Sequence, residues 1–252
     1  MALTYSFSNP TAVTRAILLC AGRGLRLDPL TRDRPKCLVE VAGMPILDYQ
    51  LAALRSAGVA EVVVVAGYRH ECVRNHLDNR RIGPAVRMAV NPHWRDSDSI
   101  GSVRAVAELL DRPFLLANGD TIFSTAVVRR ALSGSTEGVN LVVERAAPEP
   151  DDMRVAISEG RIRGVSKDIQ YADFRSLGPI VSRECDGQSY RGALDEVLAE
   201  PGGERRHHHA VIDRLARRQS VDMISVTGMA WQEIDTPADV STWNARNAQF
   251  GT

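Results

Sequence analysis

RAILLCAGRGLRLDPLTRDRPKCLVEVAGMPILDYQL, residues 15–51, is the stretch on which the fold turns. Its opening run, Ala16-Ile17-Leu18-Leu19-Cys20, is continuously apolar and reads as a strand buried on both faces of a parallel sheet. A tight turn with two glycines follows, Ala21-Gly22-Arg23-Gly24-Leu25-Arg26. A basic, proline-punctuated segment then ends in Pro35-Lys36, and Val39-Glu40-Val41 reads as a short strand. Pro45 opens an amphipathic helix whose apolar positions Ile46, Leu47, Tyr49, Leu51 and Leu54 face the sheet.

The turn has the chemistry of a phosphate site. Glycines let the backbone approach an anion and aim N–H groups at it. Arg26 and Lys36 add fixed positive charge. A strand followed by Gly-x-Gly is common, so this pattern is weak evidence alone. Two familiar alternatives fail on spacing: a dinucleotide fingerprint wants a small residue where Leu27 stands, and no Gly-Lys-Ser/Thr opens a helix here.

The rest of the chain sets bounds. Its 252 residues suit one large domain, with residues 1–14 as an N-terminal extension and a β addition at about 140–185. Lys plus Arg and Asp plus Glu both number 31, so no global field draws the protein to nucleic acid or anionic lipid, and any anion site must be local. The 4 cysteines (Cys20, Cys37, Cys72 and Cys185) are far apart and read as reduced thiols of a cytoplasmic protein. Residues 1–14 lack the charged start and apolar core of a secretory signal. No apolar run reaches membrane-spanning length. The sequence leaves homo-oligomer formation open.

Further along, Glu61–Ala66 and Ala85–Val90 read as strands, with a helix from about Arg69 to Leu77 between them. This alternation predicts an α/β fold with a Rossmann-like, doubly wound, mostly parallel sheet. Ligands collect at the carboxyl ends of such strands, where Gly22, Gly67 and Asn91 fall. Residues 91–102 are either a polar loop with Asp98 or Ser99 capping a helix over about 103–110, or a ligand loop. Phe114–Asn118 is a strand delivering Gly119-Asp120. Asp120 is placed either to cap a helix from about Thr125 or to hold a metal; an isolated Gly-Asp favours the cap.

From Asn140 the strands shorten and read as antiparallel structure. Arg191–Leu198 and Arg205–Arg218 read as helices. His207–His209 cannot converge on one ion from successive helix positions and read as partly exposed. In Trp231-Gln232-Glu233-Ile234-Asp235-Thr236-Pro237-Ala238-Asp239 a strand ends and a helix begins. Thr236 is the N-cap, Pro237 the first helical residue and Asp239 the N3 acid, which leaves Asp235 at the strand end.

The whole string resembles the signature of the nucleotidyltransferase family that includes sugar-1-phosphate nucleotidylyltransferases and phosphocholine-type cytidylyltransferases. Ala21, Gly22, Gly24, Arg26, Leu27, Pro29, Leu30, Thr31, Pro35, Lys36, Gly43, Pro45 and Ile46 meet it. That resemblance implies a transfer of NMP from an NTP to a phosphorylated or phosphonate acceptor, with release of pyrophosphate and Mg2+ as cofactor. It makes Asp120 and Asp235 the metal ligands and Arg26 and Lys36 the charges on the triphosphate. Lys167, in Ser166-Lys167-Asp168-Ile169, would meet the acceptor's phosphate in a pocket built on the β addition. The implied nucleotide-binding residues are Ala21, Gly22, Gly24 and Leu25 from the glycine turn, Gly67 and Asn91 from later strand ends, and Ser99 and Gly119. The Asn-Pro and Ser-Asp-Ser-Ile pattern of residues 91–100 resembles the CTP-using members, which favours CTP. The rival expectations are a sugar-1-phosphate enzyme using GTP, dTTP or UTP, and a nucleotide-binding module without catalysis.

Overall fold

Buried apolar runs set the frame. The computed structural model describes residues 12–79, 85–147, 149–184, 187–218 and 221–247. Most of the expected N-terminal extension, residues 1–11, and Cys185 lie outside them. Strand β1 (Arg15–Cys20) is buried throughout, Ala16–Cys20 as an apolar run and Arg15 paired with Glu61 at 3.0 Å, and lies between β4 (Glu61–Ala66) and β6 (Phe114–Asn118), parallel to both. Between β1 and β4 come β2 (Glu40–Val41), β3 (Met44–Pro45) and helix α1 (Ile46–Ser56). Helix α2 (His70–Asp78) leads to β5 (Ala85–Val90), which extends the parallel edge beside β4.

After β6 come α4 (Thr125–Gly134), preceded by the short β7 (Thr121–Phe123), then β8 (Val139–Arg145), β9 (Arg154–Ser158), β10 (Arg161–Ser166) and β11 (Phe174–Ser182). Helices α5 (Gln188–Ala199) and α6 (His209–Ala216), strands β12 (Val221–Ser225) and β13 (Trp231–Glu233), and α7 (Pro237–Asn247) complete the chain. The large sheet runs β5-β4-β1-β6-β11-β8-β12-β10-β9, and β9 also pairs with β11. β11 is the hinge of the topology, antiparallel to both β6 and β8. It welds the antiparallel addition to the parallel half. The expected α/β, Rossmann-like architecture with an antiparallel addition is the one observed.

Alternation along the strands splits the core by face. Leu18, Val62, Val64 and Leu115 pack with Leu47, Leu51 and Leu54 of α1. Ile17, Val63, Phe114 and Leu116 pack on the other face with Ile100, Val103 and Tyr190. Each such side chain contributes about 1.5–3 kcal/mol on full burial.

Two helix expectations shift. The helix expected over 103–110 begins earlier, as α3 (Ser99–Arg104), because Asp98 caps it by accepting from the Ser99 N–H, and a 3-10 turn follows at Ala107–Leu110. The helix expected over 205–218 is shorter. Residues Gly203–Arg205 form a 3-10 turn, Arg206 is extended, and α6 starts at His209. Hydrogen bonds from Asp98 N–H to Glu204 O (2.8 Å) and from His208 N–H to Ser99 Oγ (2.9 Å) hold that segment against the 91–102 loop instead.

Candidate active site

A cleft of about 1040 Å3 opens over the carboxyl ends of β1 and β6 and runs onto the antiparallel addition. Ala21, Gly22, Arg26, Lys36, Asp120 and Asp235 line it, together with Lys167 and Arg175. A smaller lobe of about 620 Å3 lies on the outer side of the glycine turn and shares Lys36, Asp120 and Asp235 with it.

Local chemistry explains why two aspartates so far apart in sequence meet. Asp120 sits in the turn between β6 and β7, which the buried Gln50 of α1 clamps by donating to the carbonyls of Asn118 (2.6 Å) and Thr121 (2.8 Å). β13 runs antiparallel to β7 with Glu233 opposite Thr121, and Ile234 N–H donates to Asp120 O at 3.0 Å. Asp235 therefore emerges beside Asp120. Its backbone is fixed because Asp239 accepts from the N–H groups of Asp235 (3.0 Å) and Thr236 (2.7 Å), the expected cap of α7. Such caps contribute about 1 kcal/mol. Ser124, and not Asp120, caps α4, so Asp120 is left to the cleft.

Lys36 completes the junction. Its ammonium donates to Asp120 Oδ2 at 2.7 Å and to Asp235 Oδ1. Burial alone would weaken that charge, but the two carboxylates outweigh it and hold the amine protonated well past its ordinary range. Gly24 is required here twice over: its φ is +74°, and a Cβ would stand 2.9 Å from Lys36 Cβ. Arg26 donates to Asp235 Oδ2 (2.8 Å) and Asp151 Oδ2 (2.6 Å), and Lys167 pairs with the other oxygen of Asp151. The result is a line of alternating charge across the cleft: Lys167, Asp151, Arg26, Asp235, Lys36, Asp120.

The sequence reading missed two members of this constellation. Glu233 contributes a third carboxylate: one oxygen each from Asp120, Glu233 and Asp235 lie within 4.8 Å of one another. Although Glu233 is exposed as a residue, crowding of its carboxyl group by cleft atoms, and then the charges of Asp120 and Asp235, push its pKa up to about 8. Residues two apart near a strand end share a face, so the Glu-x-Asp spacing was the available signal. Asp151 lies in a stretch that reads from sequence as an acidic turn, and no local signal gave its partners. Hard carboxylate oxygens in this number suit a divalent cation such as magnesium.

Other expected residues fall less uniformly. Asn91 is buried at the cleft and organises its loop, with Nδ2 3.3 Å from Ser97 Oγ and 3.2 Å from Ser102 Oγ. Ser99 lines the cleft, and Leu25 is exposed on the outer lobe. Gly67 and Gly119 are packed inside: a Cβ at Gly67 would lie 2.6 Å from Trp94 Cβ, and one at Gly119 would lie 2.6 Å from Cys20 Sγ. They bring strand ends together beneath the site. The histidines also depart from expectation. His208 and His209 are buried, and only His209 lies within α6.

Where the cleft runs onto the antiparallel addition, Arg175 is held by Glu144 (3.0 Å) and Asp152 (3.1 Å) and lies over the Trp231 ring at 4.9 Å.

Residues 16–157 match the model of the MobA-like NTP transferase domain. The chain is 31% identical over 245 residues to CMP-5'-(3-aminopropyl)phosphonate synthase of Streptomyces rubellomurinus, covering 93% of this chain and 39% of the relative. It is 36% identical over 134 residues to UTP--glucose-1-phosphate uridylyltransferase AglF of Haloferax volcanii, covering 52% of this chain and 54% of the relative. The chain thus spans about half or less of the length of these curated relatives. Among solved structures, the inositol-1-phosphate CTP transferase from T. maritima superposes with a TM-score of 0.77 at 22% identity, covering 93% of this chain and 96% of that one. That likeness concerns the fold.

Proposed function

The chain belongs to the MobA-like NTP transferase domain family, and on that premise we propose that it moves CMP from CTP onto a phosphonate or phosphorylated small molecule and releases pyrophosphate. The observation that carries this reading is the ammonium of Lys36 set between Asp120 and Asp235, at the foot of the glycine turn. A fixed cation and an adjacent carboxylate group are what a metal-bound triphosphate requires.

Magnesium, held by Asp120 and Asp235 with Glu233 close by, would neutralise charge on the triphosphate when bound. The chain's own residues do the positioning. Lys36 and Arg26 exchange carboxylate partners for triphosphate oxygens, and the backbone of Gly22 and Gly24 offers N–H groups to them. Lys167 exchanges Asp151 for the acceptor's phosphorus-bound oxygen. That oxygen, already anionic, attacks the α-phosphorus in line. An O–P bond forms as the bond from the α-phosphorus to the bridging oxygen breaks, and pyrophosphate departs with the electron pair. No protein base is needed, so the acceleration comes from orientation and charge.

CTP is favoured because the phosphonate synthase is 31% identical over 93% of the chain, whereas a mannose-1-phosphate guanylyltransferase of Drosophila melanogaster that matches 91% of it is 26% identical. Glu144, Asp151 and Asp152 around Lys167 and Arg175 suit an acceptor carrying a cationic group beside its phosphorus. Arg175 already covers the Trp231 face, which favours an aminoalkylphosphonate over phosphocholine.

The test is pyrophosphate release with magnesium, each NTP, and a panel of phosphonates, sugar phosphates and phosphocholine. Release with CTP and a phosphonate supports the reading. Release with UTP, GTP or dTTP and a sugar 1-phosphate alone would place the chain in the rival branch. Silence from folded protein with every pair would leave a binding module.

A further inference from the structure

Asn118, the last residue of β6, lines the cleft two positions before Asp120. Its carboxamide is held at the oxygen, and the residue lines the cleft. Oδ1 is 2.9 Å from Nε2 of His208, a residue that is 1% exposed. Nδ2 makes no hydrogen bond among the described residues and faces the position where Gly178 lacks a side chain; a Cβ there would stand 2.8 Å away. Gly178 lies in the irregular stretch of β11, its N–H donating to Ser176 Oγ at 3.0 Å, and Ser176 Oγ is in turn 2.9 Å from His209 Nε2.

The tautomer follows from hydrogen-bond accounting. His208 Nδ1 is buried without a partner. If Nδ1 carried the proton, a buried N–H donor would be orphaned, a rarer and costlier condition than an orphaned acceptor. The proton therefore sits on Nε2 and is donated to Asn118 Oδ1, which aims the two N–H bonds of Asn118 away from His208. Burial keeps the ring neutral, so this orientation holds across the physiological range.

Resting on the transferase reading above, we propose that Asn118 is a ligand-binding residue, whose amide donates to a phosphoryl oxygen at the junction of the nucleotide and acceptor halves, and that His208 is the positioning residue that fixes that amide. The oxygen belongs either to the α-phosphate of the nucleotide or to the acceptor's phosphorus. Both present the same anionic acceptor to the same donor. The sequence showed Asn118 only as the end of a strand, and no part of the Gly-Asp motif includes it.

The experiment is calorimetric titration of magnesium with CTP, and separately of 3-aminopropylphosphonate, into wild type, Asn118→Asp, Asn118→Ala, His208→Leu and His208→Gln, with thermal melting to verify folding. Both Asn118 variants should bind one of the two probes roughly 10- to 100-fold more weakly, as expected for loss of a hydrogen bond to a charged group. The probe that weakens identifies which phosphorus the amide meets. His208→Leu should show the same selective loss, and His208→Gln, whose amide N–H can replace Nε2–H, should restore it. Undiminished affinity for both probes in folded Asn118 variants would overturn the assignment while leaving the transferase reading intact. Equal affinities in His208→Leu and wild type would overturn the positioning role. Failure of wild type to bind either probe would overturn the transferase reading and this one with it.

Discussion

Lys36 is the residue whose removal should be felt most. It neutralises Asp120 and Asp235 together, and no other cation among the described residues pairs with Asp120. Lys36→Ala is expected to lower kcat by about a hundredfold or more, in line with deleting one preorganised electrostatic group, while the protein stays folded. A steady-state pyrophosphate assay checks this, and a loss below tenfold would contradict it. The histidines give a second residue-scale prediction. Burial, helped by the charge of His207, pushes His208 down to about 3, and burial likewise holds His209 well below its usual value. Their imidazole NMR signals should therefore stay in the neutral position from pH 8 to pH 5. In the unfolded chain each takes a proton near pH 6.5. The stability each contributes is thus complete above that pH and falls as pH drops below it, by at most about 1.4 kcal/mol per unit. Titration of either signal with a midpoint near 6.5 would contradict the burial argument.

At the scale of elements, the glycine at the end of β4 has a packing duty. A methyl group at Gly67 would lie 2.8 Å from both Ala21 Cβ and Ala21 O, and closer still to Trp94. Gly67→Ala is expected to cost about 1–3 kcal/mol, as overpacked sites do, visible as a lower urea midpoint. An unchanged midpoint would return Gly67 to the role of a nucleotide contact. This contrast shows which elements could be read from sequence. β1, β4 and β6 were legible because a strand buried on both faces needs an apolar run and little else. The glycine turn, Lys36 and the Thr236–Asp239 cap were legible because their chemistry is local. Of the two caps the sequence offered for α3, Asp98 is the one used, which starts the helix at Ser99, whereas the start of α6 escaped because bonds from the 203–209 segment to the 91–102 loop, absent from either segment alone, set it. Glu233 escaped because its importance depends on β13 pairing with β7, a contact more than a hundred residues away in sequence.

For the molecule as a whole, equal numbers of acidic and basic residues leave recognition to a local field inside the cleft. The sheet supplies the geometry. Parallel strands deliver the glycine turn and Asp120, the β7–β13 pair returns Asp235, and β11 carries the antiparallel wall with Lys167 and Arg175 up against β6. Ligand binding should stabilise the whole fold, since both halves contribute to one cleft; magnesium with CTP at 100 times its Kd should add about 2.7 kcal/mol. Thermal melting at rising CTP checks this, and a midpoint indifferent to CTP would contradict it.

The most direct test of the central claim, that Asp120 and Asp235 jointly hold a metal-bound triphosphate beside Lys36, is calorimetric titration of CTP with and without magnesium. Wild type and the double variant Asp120→Asn/Asp235→Asn are to be compared. Wild type should bind CTP at least tenfold more tightly with magnesium, and the double variant should lose that dependence. The same magnesium dependence in both proteins, or none in wild type, would contradict the account.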